Sequence, residues 1–114
     1  MNQQEIATAV NNNLAVTMII MNNGYLGMVR QWQELFYDKR YAGTDLAVGP
    51  DFVKLAEAYG AVGLRAIKVS EVEPVIKEAL ATDNTVIMDF VIAREEGVYP
   101  MVPAGKATTE MLLS

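Results

Sequence analysis

"MIIMNNGYLGMVRQWQELF", residues 18–36, passes from an apolar run through two asparagines and two glycines into a segment that carries the chain's only tryptophan. Residues 15–21 are short, nearly continuous in apolar character and rich in β-formers, as expected of a strand covered on both faces in a parallel sheet. Residues 26–36 then set Met28, Val29, Trp32, Leu35 and Phe36 along one helical stripe. A strand that breaks at paired amides and restarts as a helix is the repeating step of an α/β fold.

The rest of the chain extends that step in both directions. Residues 3–13 place Ile6, Ala9, Val10 and Leu14 at helical spacing, and Asn11, Asn12 and Asn13 suit the helix end because their amides compete with helical hydrogen bonds. Residues 37–50 have no sustained period and read as a long surface loop, of a length that is uncommon in compact domains unless it has a function. Asp51 is placed to cap a helix carrying Phe52, Leu55, Ala56 and Tyr59, with Gly60 at its end. Residues 64–69 alternate like a strand with one wetter face. Ser70 and Glu73 form an S-x-x-E capping box ahead of Val72, Val75, Ile76, Ala79 and Leu80. Residues 85–92 give a second buried strand, and from residue 95 the pattern becomes an extended tail. The alternation predicts a three-layer, doubly wound, mostly parallel α/β sheet with right-handed crossovers. Because the chain opens on a helix, the sheet is expected to be incomplete on its N-terminal side. The expected division is 1–94 for the sheet domain and 95–114 for the tail.

Composition narrows the chemistry. At 114 residues, 52% hydrophobic and 20% charged, the chain is long enough to bury a core as one globular domain. Its net charge of -5, with no Lys/Arg cluster, argues against nucleic acid as a partner. Cys and His are both absent, which removes disulfides, thiolate and imidazole metal sites and the Ser-His and Cys-His dyads. The difficult chemistry of any enzyme built on this segment therefore belongs to a cofactor or to another region. No apolar run approaches a bilayer-spanning length and no leader pattern is seen, so the expectation is a cytoplasmic protein without a membrane partner.

Ligands of open α/β sheets sit outside the carboxyl ends of the strands, where Asn22 and Asn23 fall. An Asn carbonyl is a hard neutral oxygen donor suited to Mg²⁺ alongside phosphate oxygens and water. Gly24 and Gly27 would let backbone pass close to a diphosphate, and the following helix N-terminus would offer N–H groups to it. By pattern alone, "NNG" is an ordinary turn and the stripe an ordinary core face, and at this point that reading outweighs the ligand-binding one. Arg30, Lys39 and Arg40 read as solvated surface charges.

The stretch "MNNGYLGMVRQWQELFYDKRY" resembles the signature of the acetolactate synthase (acetohydroxyacid synthase) family. "MNQQEIATAVNNNL" resembles the segment that follows the GDG triplet of thiamine-diphosphate enzymes, "DFVKLAEAYGAVGLR" the downstream helix and strand, and "YPMVPAG" the end of the family's chain. The resemblance implies the C-terminal thiamine-diphosphate-binding part of a longer transferase of branched-chain amino acid biosynthesis. That enzyme decarboxylates pyruvate and joins the product to a second 2-keto acid such as 2-ketobutyrate. It implies Mg²⁺ held by the Asn23 side chain and the Tyr25 carbonyl, and cofactor contacts from Asn23, Gly24, Tyr25, Leu26, Gly27 and Met28. It further implies a substrate channel at Met28, Val29, Trp32 and Phe36, covered by residues 37–50 and 98–105. FAD would bind a domain not present here, and the GDG aspartate is also missing, so no catalytic residue is assigned within the segment and the segment alone is expected to be inactive. The implied assembly is a homo-oligomer, as a homodimer, and a regulatory subunit is left open. The competing readings are a non-catalytic flavodoxin-like binding module and another thiamine-diphosphate-dependent carboligase or oxidase.

Overall fold

A computed structural model describes residues 2–113. In chain order the elements are α1 (Glu5–Asn11), β1 (Thr17–Asn22), α2 (Gly27–Phe36), α3 (Phe52–Ala58), β2 (Val62–Ala66), α4 (Val69–Leu80) and β3 (Val86–Val91), followed by a 3-10 turn at Thr108–Glu110. They fall into two compact units. One contains the N-terminal residues through Asn23 together with Val48–Ile92; the other contains Gly24–Ala47 and the residues after Ile92.

The first unit is a three-stranded parallel sheet in the order β1-β3-β2. The central strand β3 is buried from Val86 to Phe90, and its residues alternate between two helical layers as strand geometry requires. Val86, Met88 and Phe90 pack with Ala66 and Ala79 under Val72, Val75 and Ile76 of α4. On the other face Ile87 packs with Ile6 of α1 and Ala56 of α3. Gly63 of β2 allows α3 its close approach, since a Cβ there would lie 2.6 Å from the Val53 carbonyl oxygen. The parallel α/β class and the order of elements read from the sequence hold.

Three local expectations need correction. Strand β1 is not covered on both faces: Met18 and Ile20 pack inward, whereas Ile19 and Met21 are 56% and 61% exposed. The cause is its place at the sheet edge, because α4 packs on β2 and β3 and leaves that side of β1 open among the described residues. The second strand spans Val62–Ala66, earlier than residues 64–69, because Val69 already opens α4. The helix start is consequently not capped by Ser70 and Glu73. Glu71 performs that task two residues earlier, its carboxylate accepting from the N–H groups of Ile67 (2.8 Å) and Lys68 (3.0 Å). These bonds lower the Glu71 pKa.

Asp51 caps α3 as expected, accepting from the Val53 and Lys54 N–H groups. It also belongs to a bridge that the sequence reading overlooked. Arg65 of β2 donates through Nη2 to Asp51 (2.8 Å) and through Nε to Asp89 of β3 (2.9 Å). Asp89 is fully buried, and its second oxygen, Oδ1, has no hydrogen-bond partner among the described residues. The Lys54 N–H and then Arg65 hold the Asp51 pKa below the usual aspartate value. Burial lowers the Arg65 pKa, but the hydrogen bonds and charges of Asp51 and Asp89 outweigh it and leave a net rise.

Removing the cation would strand a buried carboxylate. Arg65→Met is expected to destabilise the protein by about 2 kcal/mol, below the range for a fully buried pair because Arg65 is a third exposed. A depressed aspartate pKa gives stability that is present above about pH 4 and is lost as pH falls through the lowered value. The variant should therefore also show a flatter acid limb, read by urea unfolding at several pH values. An unchanged midpoint and slope would show that the bridge contributes nothing.

Candidate functional site

Strand β1 ends at Asn22, whose carbonyl accepts from the Ile92 N–H at 3.0 Å. Asn23, half-buried, follows directly at the strand's carboxyl end. Asn23 thus lies at the carboxyl end of β1, outside the edge of the sheet.

Within the second unit, Gly24 has φ +71°, a left-handed conformation that glycine adopts without strain. Its carbonyl accepts from the Leu46 N–H and the Leu26 N–H donates to the Thr44 carbonyl, both at 2.8 Å, around an antiparallel bridge of Tyr25 with Asp45. Gly27 is the first residue of α2. That helix has neither a side-chain N-cap nor an acidic residue in its first turn, so its positive end is not neutralised by its own side chains and suits an approaching anion. Among the described residues there is no cluster of three Asp or Glu that could hold a metal, so a cation here would depend on amide and backbone oxygens together with phosphate or water. No helix of the described residues is long and apolar enough to cross a membrane.

The apolar stripe of α2 is not a core face. The buried residue of this helix is Gln31, whereas Met28, Val29, Trp32 and Phe36 are each 42–48% exposed. Met28, Trp32 and Phe36 line a cavity of about 540 Å³ with Met101, Val102 and Pro103 of the tail. Val29 lies instead on a second cavity of about 470 Å³, which shares Trp32 and adds Gln33 and Arg40. Leu26 is exposed.

Arg30 is not a solvated surface charge. Its side chain is 14% exposed, pairs with Glu34 at 3.0 Å and with Glu95, and stands over the rings of Tyr25 (5.1 Å) and Tyr41 (4.8 Å). Burial alone would lower its pKa, but Glu95, then Tyr41 and Glu34, raise it overall. Tyr41 is raised in turn, first by desolvation and then by Glu34. Arg94 covers Tyr25 at 4.3 Å and pairs with Asp45 at 3.0 Å. Arg40, by contrast, is exposed and pairs with exposed Asp38. The signal available in the sequence was the set of aromatic residues near Arg30, since a guanidinium stacks on rings where an ammonium is less suited to do so.

A family model described as "Thiamine pyrophosphate enzyme, C-terminal TPP binding domain" matches residues 1–90. The acetolactate synthase of Mycobacterium bovis is 48% identical over 97% of this chain and 19% of its own length. The acetolactate synthase large subunit of Haemophilus influenzae is 43% identical over 100% of the chain and 20% of its own length. Among solved structures, benzoylformate decarboxylase from Polynucleobacter necessarius superposes with a TM-score of 0.75 at 29% identity, covering 84% of this chain and 18% of that one. The thiamine diphosphate-dependent 4-hydroxybenzoylformate decarboxylase of Rhodococcus jostii RHA1 gives 0.73 at 28%, covering 82% and 18%. The chain thus spans about a fifth of the length of these relatives.

Arg30→Lys keeps the charge and loses the planar fork. NMR of the variant should show the Tyr25 and Tyr41 ring resonances shifted and faster amide exchange around Glu95, with the Arg94–Asp45 pair intact. Unmoved ring resonances would mean that the stacking is incidental.

Proposed function

The chain belongs to the thiamine pyrophosphate enzyme family, as its C-terminal TPP-binding domain, and from that premise we propose that it is the cofactor-holding end of an acetolactate synthase. The whole enzyme would decarboxylate pyruvate and condense the product with a second 2-keto acid, 2-ketobutyrate among them. The observation that carries this reading is the α2 stripe. A helix whose Trp, Met and Phe stay half-exposed beside an apolar cavity, while its glutamine is buried, is arranged to receive a ligand and not to fill a core.

Asn23 and the Tyr25 carbonyl are proposed as the protein ligands of Mg²⁺, a cation that commonly takes one or two protein oxygens and completes its shell with phosphate and water. Gly24, Leu26, Gly27 and Met28 would follow the diphosphate: Gly24 by its backbone turn, and Gly27 and Met28 by lying in the uncapped first turn of α2. When bound, thiamine diphosphate supplies the electron sink for breaking the bond to a 2-keto acid's carboxylate. The residues of this chain bind and orient, and Met28, Trp32 and Phe36 offer an apolar wall to the substrate's alkyl group. Val29 would extend that wall into the adjoining cavity. FAD, a homodimeric assembly and a cytoplasmic location belong to the same proposal for the whole enzyme, as does inactivity of this segment by itself.

A second reading, a thiamine-diphosphate decarboxylase of aryl 2-keto acids, is favoured by the fold neighbours. The higher identity to acetolactate synthases over the whole chain ranks it second.

Calorimetric titration tests the metal assignment. Mg²⁺ should raise the affinity for thiamine diphosphate at least about tenfold, and Asn23→Ala, with its circular dichroism unchanged, should remove that gain. Binding that is independent of Mg²⁺, or an Asn23→Ala variant that behaves as the parent, would overturn it.

A further inference from the structure

Gln31 and Gln33 flank the tryptophan, and their side-chain amides are occupied by two different segments of the second unit. Gln31, 5% exposed, holds the tail in both directions. Its Nε2 donates to the Val98 carbonyl at 3.0 Å, and its Oε1 accepts from the Val98 N–H at 2.8 Å. The same Nε2 lies 3.8 Å from the Met101 sulfur, and Met101 is part of the cavity wall. Gln33 holds the loop. Its Nε2 donates to the Ala42 carbonyl at 2.9 Å, and its Oε1 accepts from the Thr44 hydroxyl at 3.2 Å. Thr44 is buried, and its carbonyl in turn accepts from the Leu26 N–H at the start of α2.

We propose that Gln31 and Gln33 are positioning residues that register the tail and the loop separately on α2, Gln31 fixing the tail wall of the cavity in front of Trp32 and Gln33 fixing the loop stretch that lines a separate cavity with Tyr25 and Arg30. The chemistry explains why this residue type is used twice. A primary amide carries both donor and acceptor on one rigid plane, so it can pair with the N–H and C=O of a single residue as a neighbouring strand would. Alternate positions on a helix diverge by about 200°, which lets neighbours of one tryptophan reach opposite sides while its ring stays free for the cavity. Burying Gln31 unpaired would be costly, so the amide is stable inside only while the tail is seated. The proposal deepens the functional reading above and rests on it for what fills the cavity. The clamps themselves are a property of the unliganded chain.

The test uses the full chain without cofactor, metal or substrate, so its failure would leave the Asn23 assignment untouched, and failure of that assignment would leave the clamps intact. Gln31→Leu, Gln31→Glu and Gln33→Leu are compared by amide hydrogen exchange and by acrylamide quenching of Trp32 fluorescence, a clean reporter because no other tryptophan is present. Gln31→Leu should speed exchange at Val98 and Met101 about tenfold or more and increase Trp32 quenching, with Leu26 unchanged. Gln33→Leu should do the reverse, speeding Leu26 and sparing Val98 and Met101. Gln31→Glu keeps the acceptor for the Val98 N–H and should fall between the parent and Gln31→Leu, which serves as the test if the leucine variant does not fold. Folded Gln31 variants in which Met101 exchange and Trp32 quenching match the parent, a folded Gln33→Leu variant in which Leu26 exchange matches it, or loosening of both segments together whichever glutamine is changed, would overturn the proposal.

Discussion

The parallel pairing of β1 with β3, in register from Thr17 opposite Val86 to Asn22 opposite Val91, fixes the point at which the chain leaves the sheet. A one-residue slip in a parallel ladder would exchange the inward Met18 and Ile20 for Ile19 and Met21 and turn every side chain of the strand to the other face. That register is held by the burial of β3, whose alternate residues are committed to two different helical layers. The asparagine at position 23 is thus placed at the carboxyl end of the sheet by packing that lies well away from it. The role proposed for Asn23 depends on the core in that direct sense.

The second unit uses a different kind of order. It has one helix of length, and its segments are tied to that helix by side chains: Arg30 by ion pairs and aromatic stacking, Gln31 and Gln33 by amide-to-backbone bonds. Holding α2 this way leaves its apolar residues unburied. The result is a helix whose polar face carries the packing and whose apolar face is open to a cavity, the reverse of the usual amphipathic arrangement.

How much of this could be read in advance depended on which physical signal each residue gave. The apolar run at residues 85–92 and the Asp51 cap were legible because hydrophobic continuity and a capping side chain act locally. The capping box was placed two residues late because Ser70 and Glu73 satisfy the same pattern as the glutamate that acts, Glu71, and only the end of β2 decides between them. The exposure of β1 was not legible: edge and centre strands differ by topology and not by composition. Asp89 interrupts an otherwise apolar run and Arg65 breaks another, and in parallel register they face each other. Those two interruptions were a readable sign of a pair. Met28, Trp32 and Phe36 share one cavity and Val29 lies on its neighbour, a division that helical spacing alone does not reveal. Gln31 gave no signal, since a buried glutamine is specified entirely by the tail that meets it from sixty-seven residues away.

The role proposed for the Asn23 amide is to serve a divalent cation. Paramagnetic Mn²⁺, added in place of Mg²⁺ with thiamine diphosphate, offers the most direct measurement, because it broadens NMR signals according to their distance from the ion. With Asn23 as ligand, its side-chain amide and the backbone around Tyr25 broaden first and together. Sharp Asn23 signals, with broadening confined to exposed carboxylates such as Asp38 or Glu73, would contradict it.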